Sequence, residues 1–170
     1  MDRDFAESQE VKEVLHFKCK RSNELPNLKL YMDQVTSFIN EMLNIFTLDE
    51  KDKLTKSMVN NYVKQKIIAA PTDKKYSRGQ LMSLIIVCML KRVFSIGEIS
   101  EIMKLTEKNY EFDVAYDCFC DEFEKALKSV FGNKASVDKD NDSVLIKKVV
   151  LSLANKLYLQ KYIQFLGIKE

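Results

Sequence analysis

Short amide and hydroxyl side chains recur at helical spacing in the stretch that begins at Ser57, and lysines accompany them. Ser57, Asn60, Asn61 and Lys64 are spaced at i, i+3, i+4 and i+7, so a helix would carry all four on one side. An Asn amide can form a bidentate pair with an adenine edge, whereas Ser and Lys can contact phosphates or bases. The pattern therefore predicts a recognition helix that enters the major groove of double-stranded DNA.

The opposite side of the same stretch is apolar, as a helix that packs on a core requires. Its apolar residues are Met58, Val59, Tyr62 and Val63. Thr55 is a favourable N-cap residue because its hydroxyl can accept a hydrogen bond from a free helix N–H. The helix is therefore predicted at about residues 55–66.

A short basic loop follows the predicted recognition helix. Residues 71–73 are Pro, Thr and Asp, which favour turns. They predict a small hairpin-like wing that Tyr76 completes. Lys74 and Lys75 are then expected to stand beside the DNA backbone.

The net charge of the chain is small, but its distribution is uneven. Residues 51–92 carry ten Lys or Arg and two Asp, a net charge of +8, whereas the remainder of the chain carries −6. A basic segment inside an acidic chain can direct a polyanion to one place and repel it elsewhere. Lys56 and Arg78 belong to this segment and are further candidate phosphate contacts. A solvated surface on which lysines happen to cluster is the alternative interpretation.

Other helices must hold the recognition segment in place. Apolar residues at helical spacing predict a supporting helix over about Leu30–Phe46. The polar segment Thr47–Lys53 would link this helix to the recognition helix. That link is longer than the tight turn of the simplest helix-turn-helix proteins.

Two capping boxes mark the helices that follow. Ser77 and Gln80 form the first, and Ser95 and Glu98 form the second. The run Leu81–Val93 after the first box is almost wholly apolar, so this helix is predicted at the centre of the core. The second box predicts a short helix at residues 96–103.

Length and composition favour an all-α protein of one domain, or of one domain with an appendage. The chain has 170 residues, of which 46% are apolar, and only four are Gly and two Pro. Long helices need few turn residues, so this composition indicates an all-α fold. The apolar runs are too short to span a bilayer, and the polar N-terminus does not resemble a secretory signal. We therefore expect a cytoplasmic protein without a membrane partner.

The four cysteines do not have the spacing of a zinc site. They are Cys19, Cys88, Cys118 and Cys120, and no C-x-x-C pair occurs among them. Cys118 and Cys120 are two residues apart on a predicted helix, so they point to different sides. We predict free, buried thiols, although four cysteines could in principle form two disulfides. No metal or cofactor is expected.

The chain is predicted to divide into three parts. An N-terminal helix and connection occupy residues 1–29, the DNA-binding region 30–105, and a helical region for dimerisation or effector binding 106–170. Aromatic residues at helical spacing between 107 and 131 could form core or line a ligand pocket, and the carboxylates beside them could hold a cation or form a solvated face. A final apolar helix at 143–166 would be central to a bundle or partly exposed as a homodimer surface.

The order of these motifs resembles the MerR-type winged helix-turn-helix. The matching segments are Asn61–Tyr62, Lys75–Ser77 with Leu81, and Phe94–Ile99. The sequences of Tyr31–Ile39 and Met58–Lys64 resemble another bacterial family more closely than they resemble MerR. That family is catalogued as a domain of unknown function and described as MerR-like regulators. This resemblance covers about residues 25–105.

The resemblance implies which residues contact DNA. Asn60, Asn61 and Tyr62 would face or flank the duplex, and Lys75 and Arg78 would hold phosphates. Two features depart from MerR proteins, namely the longer link and the lack of a long coiled-coil dimerisation helix. The metal-binding thiolates of MerR proteins have no counterpart here.

The resulting hypothesis is a sequence-specific DNA-binding transcription regulator that forms a homodimer. Its candidate DNA-binding residues are Lys56, Ser57, Asn60, Asn61, Tyr62, Lys64, Lys74, Lys75 and Arg78. The alternative is a helical protein-interaction adaptor built on a winged-helix scaffold. An enzyme is not expected, since the sequence has no Gly-rich phosphate loop, no nucleophile elbow and one histidine in all.

Overall fold

The computed structural model describes residues 3–108, 110–132 and 144–165, and these residues are mostly helical. The helices are α1 (Arg3–Ala6), α2 (Gln9–His16), α3 (Met32–Met42), α4 (Lys56–Lys64), α5 (Arg78–Leu90), α6 (Ile96–Glu107), α7 (Phe112–Phe131) and α8 (Val144–Phe165). Two short strands, β1 (Leu30–Tyr31) and β2 (Lys75–Tyr76), pair antiparallel. None of the described helices is both long and apolar enough to cross a membrane.

The chain forms two compact units whose limits differ from the three predicted parts. One unit consists of Lys20–Asp117, and the other combines Met1–Cys19 with Cys118–Glu170. The predicted limits at 29/30 and 105/106 both fall inside the first unit. The second unit joins segments from both ends of the chain, which periodicity along a sequence cannot reveal.

Helix α5 lies at the centre of the 20–117 unit, as its apolar run predicted. Leu84, Ile85, Val87 and Met89 have no exposed surface. Both predicted capping boxes are confirmed. At the start of α5, Ser77 Oγ accepts from the N–H of Gln80, and Gln80 Oε1 accepts from the N–H of Ser77. At the start of α6, Ser95 and Glu98 exchange the same two hydrogen bonds.

The two ends of the 20–117 unit are hydrogen-bonded to each other. The backbone N–H of Ser22 donates to Asp117 Oδ1 at 2.6 Å, and the Ser22 hydroxyl donates to Asp117 Oδ2 at 2.8 Å. The Tyr116 hydroxyl also donates to the carbonyl oxygen of Lys20 at 2.9 Å. Because these residues are about a hundred positions apart, the contacts close the unit where the chain enters and leaves it.

Several predicted helices have different limits in the structure. The supporting helix begins at Met32 rather than Leu30, because Leu30 and Tyr31 pair with β2 instead. Its last predicted turn is a separate 3-10 turn at Asn44–Phe46. Helix α6 continues to Glu107, beyond the predicted end at residue 103.

The unit formed by both chain ends has an aromatic core. The ring of Phe5 contacts those of Tyr158, Tyr162 and Phe165 at centroid distances of 5.0–5.5 Å. Phe131 also packs on Tyr158. Within this unit, Phe119, Phe123 and Phe131 of the α7 aromatic stripe are buried. Of the predicted loop at 132–142, only Gly132 lies among the described residues.

Candidate nucleic-acid interface

Local hydrogen bonds define both ends of α4, the predicted recognition helix. Thr55 Oγ1 accepts from the N–H of Met58 at 3.2 Å, which confirms Thr55 as the N-cap. At the other end, Lys66 adopts a left-handed conformation with φ 58°. The N–H groups of Lys66 and Ile67 donate to the carbonyl oxygens of Val63 and Tyr62, the Schellman pattern that ends a helix.

The polar side of α4 is exposed along its whole length. We call the side chains of Lys56, Ser57, Asn60, Asn61 and Lys64 the α4 polar face, and all five are exposed. Among the described residues, Ser57, Asn60, Asn61 and Lys64 make no side-chain hydrogen bond or ion pair. Their donors and acceptors are consequently available to a ligand.

Tyr62 lies on the other side of α4 and cannot contact DNA through its side chain. Only 4% of its surface is exposed, and burial, together with the nearby Cys88, raises its pKa to about 12. The inference that Tyr62 faces or flanks DNA is therefore wrong. Its ring instead fixes α4 to the core, as does Val59, which is fully buried.

Asn40 on α3 holds the segment that enters α4. Its Nδ2 donates to the carbonyl oxygen of Leu54 at 3.0 Å, and its Oδ1 accepts from the N–H of Leu54 at 2.7 Å. One amide side chain thus satisfies both backbone groups of a residue that is itself buried. Since Leu54 directly precedes the N-cap, this pair of bonds sets where α4 begins relative to α3.

The predicted wing is a tight hairpin turn. Thr72 and Lys75 exchange two backbone hydrogen bonds of 3.1 and 3.0 Å, and the two residues between them have positive φ, 51° at Asp73 and 62° at Lys74. These angles are those of a type I′ turn. Lys74 is exposed in this turn.

Gln80 fixes the loop between α4 and this turn. Its Nε2 donates to the carbonyl oxygens of Ala69 and Ala70 at 2.8 and 2.9 Å, while its Oε1 accepts from Ser77 N at 2.7 Å. One side chain therefore caps α5 and tethers the preceding loop. The capping box predicted only the first of these roles.

Two of the predicted lysines contact residues at the beginning of α3. Lys56 forms an ion pair with Asp33, and the ammonium group of Lys75 lies 4.8 Å from the ring centroid of Tyr31. Tyr31 is the N-cap of α3, and Asp33 lies in its first turn. Neither Tyr31 nor Asp33 was a candidate residue, because no spacing along the chain relates them to Lys75 or Lys56.

Arg78 is exposed at the first position of α5. It lines an open cavity of about 480 Å³ whose other residues include Lys29, Glu111 and Asp113. No residue of α4 lines this cavity. The carboxylates offset part of the positive charge of Arg78 and Lys29 there.

Two further cations of the basic segment are not free surface groups. Lys91 and Arg92 are half-buried, and burial lowers the pKa of both side chains. The guanidinium of Arg92 lies 5.0 Å from the ring centroid of Phe46. Fewer cations are therefore exposed in residues 51–92 than the ten Lys and Arg that the sequence contains.

The described residues contain no group of three or more His, Cys, Asp or Glu side chains that could hold a metal ion. The acidic face of α7 thus provides no such cluster within the described ranges.

Comparisons with known proteins identify a family but no characterised relative. No curated protein matches the chain, and no solved structure matches it either. The model of one protein family matches residues 20–119 of the chain. That range nearly coincides with the compact 20–117 unit that contains α4 and the hairpin turn. The chain belongs to the family described as "Domain of unknown function (DUF1836)".

Proposed function

We propose that the 20–117 unit binds double-stranded DNA and that the protein is a sequence-specific transcription regulator. The observation that carries this proposal is the α4 polar face. Its two adjacent amides are exposed and have no side-chain partner among the described residues. An ordinary solvated helix face carries Glu and Lys pairs instead, because such pairs at i and i+4 stabilise the helix. Two amides between two lysines form the combination that reads base edges and holds phosphates.

In this proposal, α3 and α4 form the helix pair of a winged helix-turn-helix. The apolar side of α4 is anchored by Val59 and Tyr62, so the amides project away from the core. Asn60 and Asn61 would read the major groove, and Ser57 would contact a base or phosphate near the start of the helix. The type I′ turn would serve as the wing, with Lys74 against the backbone.

The lysines supply the sequence-independent part of the affinity. Lys56, Lys64, Lys74 and Lys75 would neutralise phosphates, and each phosphate contact releases condensed counterions. Four such contacts in each protomer predict a slope of about −3.6 per protomer in a plot of log K against log salt concentration, and about −7.2 for a homodimer on two half-sites. Arg78 stays a candidate phosphate contact, although its cavity contains opposing carboxylates.

A homodimer is part of the same proposal. Dimerisation through the C-terminal helices would place two recognition helices on half-sites about 34–36 Å apart. Exposed apolar side chains on α8, at Leu151 and Leu159, support such a contact.

A protein-interaction adaptor is the second candidate function. It is favoured by two exposed apolar side chains of the 20–117 unit, Leu28 at 82% and Val114 at 56%. Apolar side chains at such exposure are common singly, so they weigh less than the α4 polar face.

Random-site selection on the full chain, followed by gel-shift titration at two salt concentrations, tests the proposal. We expect one enriched sequence motif and affinity that falls steeply with salt. Absence of DNA binding at low salt would reject the regulator. A defined protein partner would then support the adaptor.

Replacing Lys74 by alanine is expected to weaken binding to all DNA sequences by a similar factor. A phosphate contact carries no sequence information, so the preferred motif should stay the same while the salt slope becomes shallower by about 0.9 for each bound protomer. Lys108→Ala is the matched control, since it removes an exposed lysine outside the proposed interface. Equal effects of both substitutions would show that only net charge matters.

Replacing Asp33 by asparagine is expected to tighten DNA binding by about two- to five-fold, equivalent to about 0.4–1 kcal/mol. The substitution frees Lys56 for a phosphate and removes a negative charge next to the proposed interface. The exposed ion pair itself contributes little to stability. Glu41→Gln makes the same charge change near the other end of α3 and should have a smaller effect. Unchanged or weaker binding by Asp33→Asn would contradict the placement of DNA at this edge.

A further inference from the structure

Two of the four cysteines are in direct contact inside the unit formed by the chain ends. The Sγ atoms of Cys19 and Cys120 lie 2.8 Å apart, and both residues are buried. A disulfide has an S–S length of about 2.0 Å. We propose that Cys19 and Cys120 are a redox modification site, at which peroxide converts the two thiols to a reversible intramolecular disulfide.

The backbone around Cys19 is held against α7 by its neighbours in the chain. The N–H of Cys19 donates to Glu124 Oε1 at 3.1 Å, and Lys18 Nζ donates to Glu124 Oε2 at 2.8 Å. The ring of Phe17 packs on that of Phe123 at 6.0 Å. Cys120, Phe123 and Glu124 are spaced at i, i+3 and i+4, so they share one side of α7. These contacts keep the sulfur atoms together, and bond formation needs only a small displacement.

The contact between the two sulfur atoms distinguishes this pair from the other two cysteines. Cys118 is half-buried, and burial and the carboxylates of Glu122 and Asp121 raise its pKa. Cys88 belongs to the 20–117 unit, where burial raises its pKa to about 12. Neither cysteine has another thiol in contact among the described residues.

The oxidation proceeds in two balanced steps. One thiolate attacks a peroxide oxygen, the O–O bond breaks, and the products are a sulfenic acid and hydroxide. The second thiolate then attacks the sulfenic sulfur, the S–S bond forms, and the S–O bond breaks to release hydroxide, which is protonated to water. In total, two thiols and one hydrogen peroxide give one disulfide and two waters. Both sulfur atoms are buried, so peroxide enters during local opening of the unit.

The disulfide between Cys19 and Cys120 would affect the stability of the folded protein. It would close a covalent loop that contains residues 20–119, the range of the family match. Closing a long loop restricts the unfolded chain and so favours the folded state. We expect the oxidised protein to melt at a higher temperature than the reduced protein, by up to about 10–20 °C.

Treatment of the native full chain with hydrogen peroxide, followed by alkylation and non-reducing peptide mapping, tests the proposal. The expected product is a monomer lighter by two hydrogen atoms, in which the peptides that contain Cys19 and Cys120 are joined. A dithiol reductant should restore the starting mass. The Cys88→Ser/Cys118→Ser double variant should behave like the wild-type protein, whereas Cys120→Ser should lose both the mass change and the increase in melting temperature.

The wild-type peptide map decides the matter even if a variant does not fold. A link between Cys19 and Cys118, an intermolecular link, or sulfenic and sulfinic acids without a link would each overturn the proposal. Full alkylation of both thiols after peroxide treatment would also overturn it.

Discussion

Replacing Asn60 and Asn61 by alanine is expected to weaken binding of the preferred DNA motif by about 1–3 kcal/mol for each side chain. This range corresponds to a roughly 5- to 150-fold increase in Kd for each single variant. The reason is that each amide offers one donor and one acceptor in fixed geometry, which alanine cannot replace. The motif selected by each variant should also be more degenerate at the position that the missing amide reads.

Three measurements distinguish this effect from a loss of folding. The melting temperature of Asn60→Ala and Asn61→Ala should stay close to that of the wild type, because both side chains are exposed and have no partner among the described residues. Affinity for a scrambled duplex should change far less than affinity for the motif. Asn23→Ala removes an exposed asparagine outside α4 and should leave both affinities unchanged. Unaltered motif affinity in both α4 variants would show that this helix does not read DNA.

Replacing Asn40 by alanine is expected to give the largest loss of stability among the polar substitutions in the 20–117 unit. The side chain satisfies the N–H and the carbonyl oxygen of the buried Leu54. Alanine leaves both groups without their partner, at a cost of about 1–3 kcal/mol for each buried group that water does not reach. The free energy of unfolding, measured by urea titration, should fall accordingly.

A second variant separates the two hydrogen bonds of Asn40. Asn40→Asp keeps an acceptor for the N–H of Leu54 but replaces the donor to its carbonyl oxygen by a second acceptor, so its stability at neutral pH should be below that of the wild type. Asn44→Ala is the matched control, because Asn44 is exposed on the following 3-10 turn. If Asn40→Ala is no less stable than Asn44→Ala, the contact with Leu54 is not structurally important.

DNA binding by Asn40→Ala should fall as well, and by a different route from Asn60→Ala. Asn40 positions the residue before the N-cap of α4, so its loss should let the helix move relative to α3. Affinity for the motif and for a scrambled duplex should then fall together, since the lysines are displaced along with the amides. Selective loss of motif affinity would indicate that Asn40 itself contacts bases.

The sequence alone predicted the features that depend on neighbouring residues. The starts of α4, α5 and α6 follow from the caps Thr55, Ser77 and Ser95, whose hydroxyl groups accept from N–H groups three residues later. The central position of α5 follows from its uninterrupted apolar run. These features can be read locally because their hydrogen bonds and periodicity span only a few residues.

Only the tertiary structure decided which distant residues meet. It buried Tyr62, paired Lys56 with Asp33, and placed Arg78 in a cavity with Glu111 and Asp113. It also joined the two chain ends into one unit, which brought Cys19 against Cys120. Contacts across such sequence separations depend on how whole helices pack, and packing is a property of many side chains together. Residue types and spacing therefore predicted an exposed amide face on α4, while the three-dimensional fold determined which cations and acids surround it.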